Sequence, residues 1–161
     1  MALKPDRIEL LTDVSFFMNT TATRGGIVCL STAGSGVAMD DALAVVSYAA
    51  VASGQMPVGV LLNDVVNLDL TRQHINWHKD EVQIGGKVSI LRAGVVTTNL
   101  IAGTPVAGKP AYLGTDGKMT SVVPTGLSSP SGVTGNMTAR VGQFLSTLDA
   151  DGYAKVSINI V

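Results

Sequence analysis

Charge and aromatic rings are the scarce materials of this chain. Only 14% of its 161 residues are charged and 4% are aromatic, although 46% are hydrophobic; a typical soluble domain carries about 25% charge. A monomer of this size exposes roughly 7,600 Å², so each charge is left with about 330 Å² of surface. So thin a charge layer implies that other copies, or another protein, cover part of that surface. With 11 Lys and Arg against 12 Asp and Glu, the formal net charge is -1. No basic footprint exists for nucleic acid or an anionic membrane. The single cysteine, Cys29, cannot form an internal disulfide, and its place in Ile27–Leu30 predicts a core thiol made in a reducing cytoplasm. The N-terminal MALKPDRIELLTDVSFF lacks the apolar core and small-residue cleavage site of a secretion signal. The longest apolar run, Ala42–Ala52, would cross about half of a ~30 Å bilayer core even as a helix, so no membrane span is expected.

What is present is β punctuation. From Ile27 onward, short runs rich in Val, Ile and Leu are separated by STAGSG, SGQMP, GG, AGTPVAGKP, GTDGK and DADGY, which are turn-forming clusters. A mainly β domain over 27–161 follows. Residues 1–26 combine six charges in their first 24 positions with MNTTATRGG and no steady period, which reads as an extended N-terminal arm. Within the arm, Ile8, Leu10 and Val14 share one face at period two, suited to adding a strand to a partner's sheet edge. The competing reading is that Leu3, Ile8, Leu11 and Phe16 cover one end of the chain's own domain. Asp40-Asp41 before ALAVVSYAAVA suit a helix start, but the Val pair and Tyr48 favour a strand beginning near Ala44.

An internal echo runs at an offset of 83 residues. It aligns Ile27–Gly34 with Pro110–Gly117, and Pro57–Leu62 with Arg140–Leu145, pairing Val58 with Val141 and Gly59 with Gly142. Gly86–Ile90 (GKVSI) and Ala154–Ile158 (AKVSI) then close two units, 27–92 and 110–161, as a duplication would. The first unit carries an insertion over about 66–82, which holds the only Trp and both His residues. Chance repetition of turn chemistry is the alternative.

No constellation demands catalysis. His74 and His78 have the spacing of two metal ligands on one helix face, but no third ligand is evident and Ile75 stands where an H-E-x-x-H site needs Glu. Arg72, His74, Trp77 and His78 are therefore read as a partner or subunit contact, with no metal and no cofactor. Asp80 and Glu81 are adjacent, a poor acid–base pair. Gly103–Lys109 begins like a phosphate-binding loop, but Pro110 replaces the Ser or Thr and donates no N–H. Cys29 lies far from either His in sequence, so no nucleophilic triad is visible.

Three stretches carry a resemblance: PVGVLLNDVVNLDLTRQHINWHKDEVQIGGKVSILRAG (57–94), AGKPAYLGTDGKMTS (107–121) and ARVGQFLST (139–147). Over residues 24–161 the chain resembles the head decoration, or cement, proteins of tailed bacteriophages. That resemblance implies a small barrel-like or β-tulip-like domain, made in the host cytoplasm. It also implies binding to the major capsid protein on the outer surface of the mature icosahedral shell, as a homotrimer at three-fold or quasi-three-fold sites. The alternative function is a virion surface adhesin, or receptor- or glycan-binding module, working through the 74–81 segment.

Overall fold

The computed structural model describes residues 2–31, 44–64, 81–123 and 140–160. Twelve strands are seen there: β1 (Ile8–Met18), β2 (Ala22–Thr23), β3 (Ile27–Leu30), β4 (Val45–Ser47), β5 (Pro57–Asp64), β6 (Glu81–Val82), β7 (Lys87–Thr98), β8 (Ile101–Ala102), β9 (Pro110–Leu113), β10 (Met119–Thr120), β11 (Arg140–Phe144) and β12 (Ala154–Asn159). A 3-10 turn, Thr115–Gly117, joins β9 to β10. The domain is mainly β, as its turn punctuation implies.

Ten strands form one sheet in the order β1-β4-β3-β5-β7-β12-β11-β9-β10-β8, and β1 also pairs with β7. That extra pairing closes β1, β4, β3, β5 and β7 into a ring. Among the described residues β1 meets β4 at Phe17↔Val45 and Met18↔Val46. Met18, Val28, Val46, Val58, Leu61, Val88 and Ile90, drawn from all five ring strands, cluster as one core. A second core lies between the other face of the ring and the β12-β11-β9-β10 sheet, and contains Ile27, Cys29, Val60, Leu62, Leu113, Met119, Phe144, Val156 and Ile158. β3 and β5 therefore serve both cores. This is why IVCL and PVGVLL are nearly continuous apolar runs rather than alternating ones.

β7 is the spine. β1 pairs with it from Ile8↔Val95 to Phe17↔Lys87 along one edge. Its other edge is divided, with β5 against Val88–Leu91 and β12 against Ala93–Thr98. Gly94 sits where the partners change; a side chain there would place its Cβ 2.1 Å from the Ile8 carbonyl oxygen.

The internal echo reappears in the strand registers. β3 meets β5 at Ile27↔Val60, Val28↔Gly59 and Cys29↔Pro57, with an irregularity after Val28. β9 meets β11 at Pro110↔Gln143, Ala111↔Gly142 and Tyr112↔Arg140, so every partner is displaced by the same 83 residues and the bulge recurs at the same step. Gly59 and Gly142 also share a job. A Cβ on Gly59 would lie 2.4 Å from the Leu91 carbonyl oxygen, and one on Gly142 would lie 1.8 Å from that of Ser157. The third strands require a correction: Leu61↔Ile90 matches Phe144↔Val156, so the ladder equates Ile90 with Val156, two residues away from the GKVSI/AKVSI alignment. A slip of two preserves which face each side chain takes, so hydrophobic pattern alone cannot detect it.

The expected boundary at residue 26 also shifts. Residues 8–18 are extended, but as a strand of the ring; Phe17 and Met18 are buried, and Leu3 bridges to Thr98. The N-terminal segment is therefore integral to the sheet. Over the described residues Ala44–Ala52 only Val45–Ser47 is strand, and Asp40, Asp41, Ala42 and Leu43 lie outside the described residues.

Candidate interaction surface

The apolar residues singled out in the N-terminal segment separate into two groups. Leu3 is 2% exposed and packs in the second core, and Phe16 packs against the ring core. Ile8, Leu10 and Val14 stand out at 55%, 77% and 48% exposure, and Leu11 joins them on the surface. Core cover thus holds for Leu3 and Phe16, whereas Ile8, Leu10, Leu11 and Val14 are exposed to solvent. Among the described residues, β1 is paired along its length on one edge only, its second partner β4 reaching just Phe17 and Met18. An apolar strand with an open backbone edge invites association. Irregularities at Glu9/Leu11, Leu11/Thr12 and Asp13/Phe16 interrupt its ladder with β7 and twist that edge.

The charges of β1 are held locally. Arg7 bonds Glu9, and Asp13 accepts bonds from the Ser15 backbone N–H at 2.9 Å and from the Ser15 hydroxyl, with Arg92 at 3.9 Å. Partial burial pushes the Asp13 carboxyl upward, but the Ser15 bonds and the Arg92 charge outweigh it, so its pKa is lowered. Lys4 fastens the chain start to the β11–β12 connection, donating to Asp149 at 3.0 Å with its ammonium 4.2 Å from the centre of the Tyr153 ring.

A second surface feature had escaped the sequence reading. Directly opposed residues in neighbouring strands share a sheet face, and the registers define rows across β9, β11, β12, β7 and β1. One row is Pro110–Gln143–Ser157–Val95–Ile8; a second brings Asn159, Ala93 and Leu11 together beside Arg140 and Tyr112. These residues are exposed or partly exposed, whereas the alternate ones, including Val156, Ile158 and Val96, are buried in the second core. The outer face is therefore polar at its β11–β12 end and apolar at its β1–β7 end. An open trough of about 380 Å³ at the polar end is lined by Arg140, Gly142, Gln143, Ser157 and Asn159. The bulge before Gly142 keeps Arg140 and Gln143 on one face although they are three residues apart. The alternation in AKVSIN was the available signal; what it could not supply was the neighbouring strand.

Two further groups are structural. Cys29 is 1% exposed, and burial pushes its thiol up to about 11, as expected of a core thiol. Tyr48 lies against Gly26 and Gly117; its hydroxyl donates to the Thr23 carbonyl at 2.5 Å and accepts from the Gly26 N–H at 2.9 Å. Burial raises its pKa strongly, and the Gly26 bond opposes this only in part. Gly103–Lys109 is the loop between β8 and β9, with a strand rather than a helix after it. Arg72, His74, Trp77, His78 and Asp80 lie outside the described residues, as do the side-chain surroundings of Glu81. Among the described residues no cluster of His, Cys, Asp and Glu has metal-binding geometry, and no helix is long and apolar enough to cross a membrane.

No known protein family model matches the chain, and comparison with curated proteins finds no match.

Proposed function

We propose that the chain is a structural protein of a phage virion, binding the outer surface of the mature icosahedral capsid and stabilising it against the pressure of packaged DNA. The observation carrying this reading is the exposure of Ile8, Leu10, Leu11 and Val14 on a strand that, among the described residues, is paired along its length on one edge only, in a chain that has few charges. Exposed apolar area of this kind favours a partner surface over solvent. The sequence resemblance supplies the identity of that partner, the major capsid protein.

The work done is that of a ligand. A protein that binds the mature shell and not its precursor stabilises the mature shell by about 2.7 kcal/mol per site when present at 100 times its dissociation constant. Repeated over many sites, this stiffens the shell without chemistry. Self-association with closed cyclic symmetry, in the proposal a trimer at three-fold positions, would bury the sparsely charged surface without polymerising it.

The test is co-sedimentation of the full-length protein with expanded capsids that lack it, alongside mass spectrometry of purified virions. Saturable binding to expanded shells, weaker binding to precursor shells, and many copies per virion are expected. Absence of the chain from virions, together with no binding to expanded shells, would refute the assignment. Truncation at Gly25 is the wrong tool, because it removes β1 from the ring.

A further inference from the structure

We propose that the trough on the outer face of β11 and β12 is a binding site for an acidic saccharide, in which Arg140 takes a carboxylate and the neighbouring side chains take hydroxyls. This goes beyond the capsid reading and does not rest on it.

The internal duplication singles this face out. In the first unit the row Ile27–Val60–Leu91 is fully buried and forms a wall of the second core. The equivalent row of the second unit is Pro110–Gln143–Ser157. Likewise, Cys29–Pro57 corresponds to Tyr112–Arg140. The same strand arrangement thus presents a dry packing face once and a polar face once. Solvation alone does not account for the replacement, because faces that meet only water are covered largely by Lys, Glu and Asp. Among the described residues the trough is lined instead by Arg140, Gly142, Gln143, Ser157 and Asn159, with Tyr112 directly opposite Arg140 on the same face. Tyr, Ser, Gly, Asn and Arg are the residues of antibody combining sites, where hydroxyls and amides adapt and the aromatic ring gives contact area with little entropy to lose.

The chemistry of the lining narrows the ligand. Ser157 and Asn159 can each donate and accept, as a sugar hydroxyl does. Gln143 donates its amide N–H to the Gly108 carbonyl at 2.9 Å, which fixes the side chain and leaves the amide oxygen as an acceptor. Arg140 is anchored through Nε to the Gly142 carbonyl at 3.4 Å, which leaves its terminal nitrogens to donate to a carboxylate. Lys155, two residues from Ser157 on the same exposed face of β12, adds to the attraction for an acid. Tyr112 is partly exposed and is placed to stack on the apolar face of a sugar ring. The space of about 380 Å³ lies at the small end of the ~300–1,000 Å³ typical of small-molecule sites. A protein partner fits less well, since a protein interface is built around an apolar centre and the described lining supplies none. Because the trough is open, a single site binds weakly.

A heteronuclear NMR titration of the full-length protein with trigalacturonic acid, and with its methyl ester as the uncharged control, tests the site. Saturable shifts of the Arg140, Gln143, Ser157 and Asn159 amides are expected with the acid, and the ester should bind roughly tenfold or more weakly. Arg140→Gln should weaken binding of the acid to the level of the ester and leave the ester unchanged, whereas Tyr112→Ala should weaken both. Circular dichroism checks that the variants fold. If either does not, Arg140→Lys, which keeps the charge but loses the planar fork, and Tyr112→Leu take their place with the same expected losses. No shifts up to about 20 mM acid, a concentration ample for an open site, would overturn the proposal. So would shifts centred elsewhere, equal binding of acid and ester, or an Arg140 variant that binds the acid as the wild type does.

Discussion

Substituting Gly142 by Ala should be among the most damaging single changes that can be made with one methyl group. The Ser157 carbonyl oxygen lies 1.8 Å from the position the Cβ would take, and the Ser157 carbonyl carbon 2.9 Å from it. Both belong to backbone, so no side chain can swing aside. To reach ordinary contact the β11–β12 ladder must open by more than 1 Å across Gly142↔Ile158 and Gln143↔Ser157. Weakening two ladder bonds costs about 2 kcal/mol. Displacing Val141 and Phe144, both fully buried, adds about 1–2 kcal/mol of packing loss. The total is about 3–4 kcal/mol, which in a chain of this size lowers the midpoint of thermal unfolding by roughly 6–16 °C. Urea unfolding followed by circular dichroism measures it, with a shifted midpoint and an unchanged slope. Gly54→Ala is the control: its Cβ meets nothing within 4 Å, and its φ of +71° costs a side chain only about 1 kcal/mol. If the two variants differ by less than about 0.5 kcal/mol, the strands yield more easily than argued and the close-approach role of Gly142 is refuted. Gly59→Ala, against the Leu91 carbonyl, should fall with Gly142→Ala and not with the control.

Tyr48→Phe should cost about 1–3 kcal/mol by stranding the Thr23 carbonyl and the Gly26 N–H, and urea titration reads it. The buried Cys29 thiol should resist a thiol reagent at pH 8 until the protein unfolds. Because its pKa is raised from 9.0 to about 11, the folded state holds the proton longer than the unfolded chain. Its contribution is therefore complete below pH 9 and is lost as pH rises toward 11, at no more than about 1.4 kcal/mol per unit; Cys29→Ala should flatten that slope. Leu10→Ser should change stability by less than about 0.5 kcal/mol yet weaken capsid binding, whereas Leu3→Ala should cost about 2–3 kcal/mol, with melting and co-sedimentation separating the two effects. A chain beginning at Gly25 should lose cooperative unfolding altogether, since Met18 leaves the ring core with β1.

The strands most legible in the sequence are those whose turns announce them. β5 follows SGQMP, β9 and β10 flank GTDGK, β12 follows DADGY, and each begins within a residue or two of its punctuation. The offset of 83 even carried the correct register of two strand pairs. β1 was harder, because its first nine residues leave nearly every side chain at least partly exposed on both faces, so no period of two betrays it. It is a strand because β7 lies alongside, a fact about distant residues. The same holds for β7, whose continuation through Gly94 to Thr98 depends on β12 taking over where β5 leaves off. The trough was invisible for a related reason: Arg140 and Asn159 become neighbours only once β11 and β12 pair.

The long edge between β1 and β7 also sets a timetable for synthesis. Phe17 must wait for Lys87, and Ile8 for Val95, before either has a partner. At 5–20 residues per second, that interval is roughly 4–16 s on the ribosome. Throughout it the apolar residues of β1 are unpaired in a chain whose first core cannot close and whose second core still lacks its closing strand, β12. Folding is therefore a late event dominated by distant contacts, slow for the size of the domain. During that window the emerging chain is a natural client for a chaperone that holds extended apolar segments, and the protein's yield should follow the supply of such help more closely than its final stability.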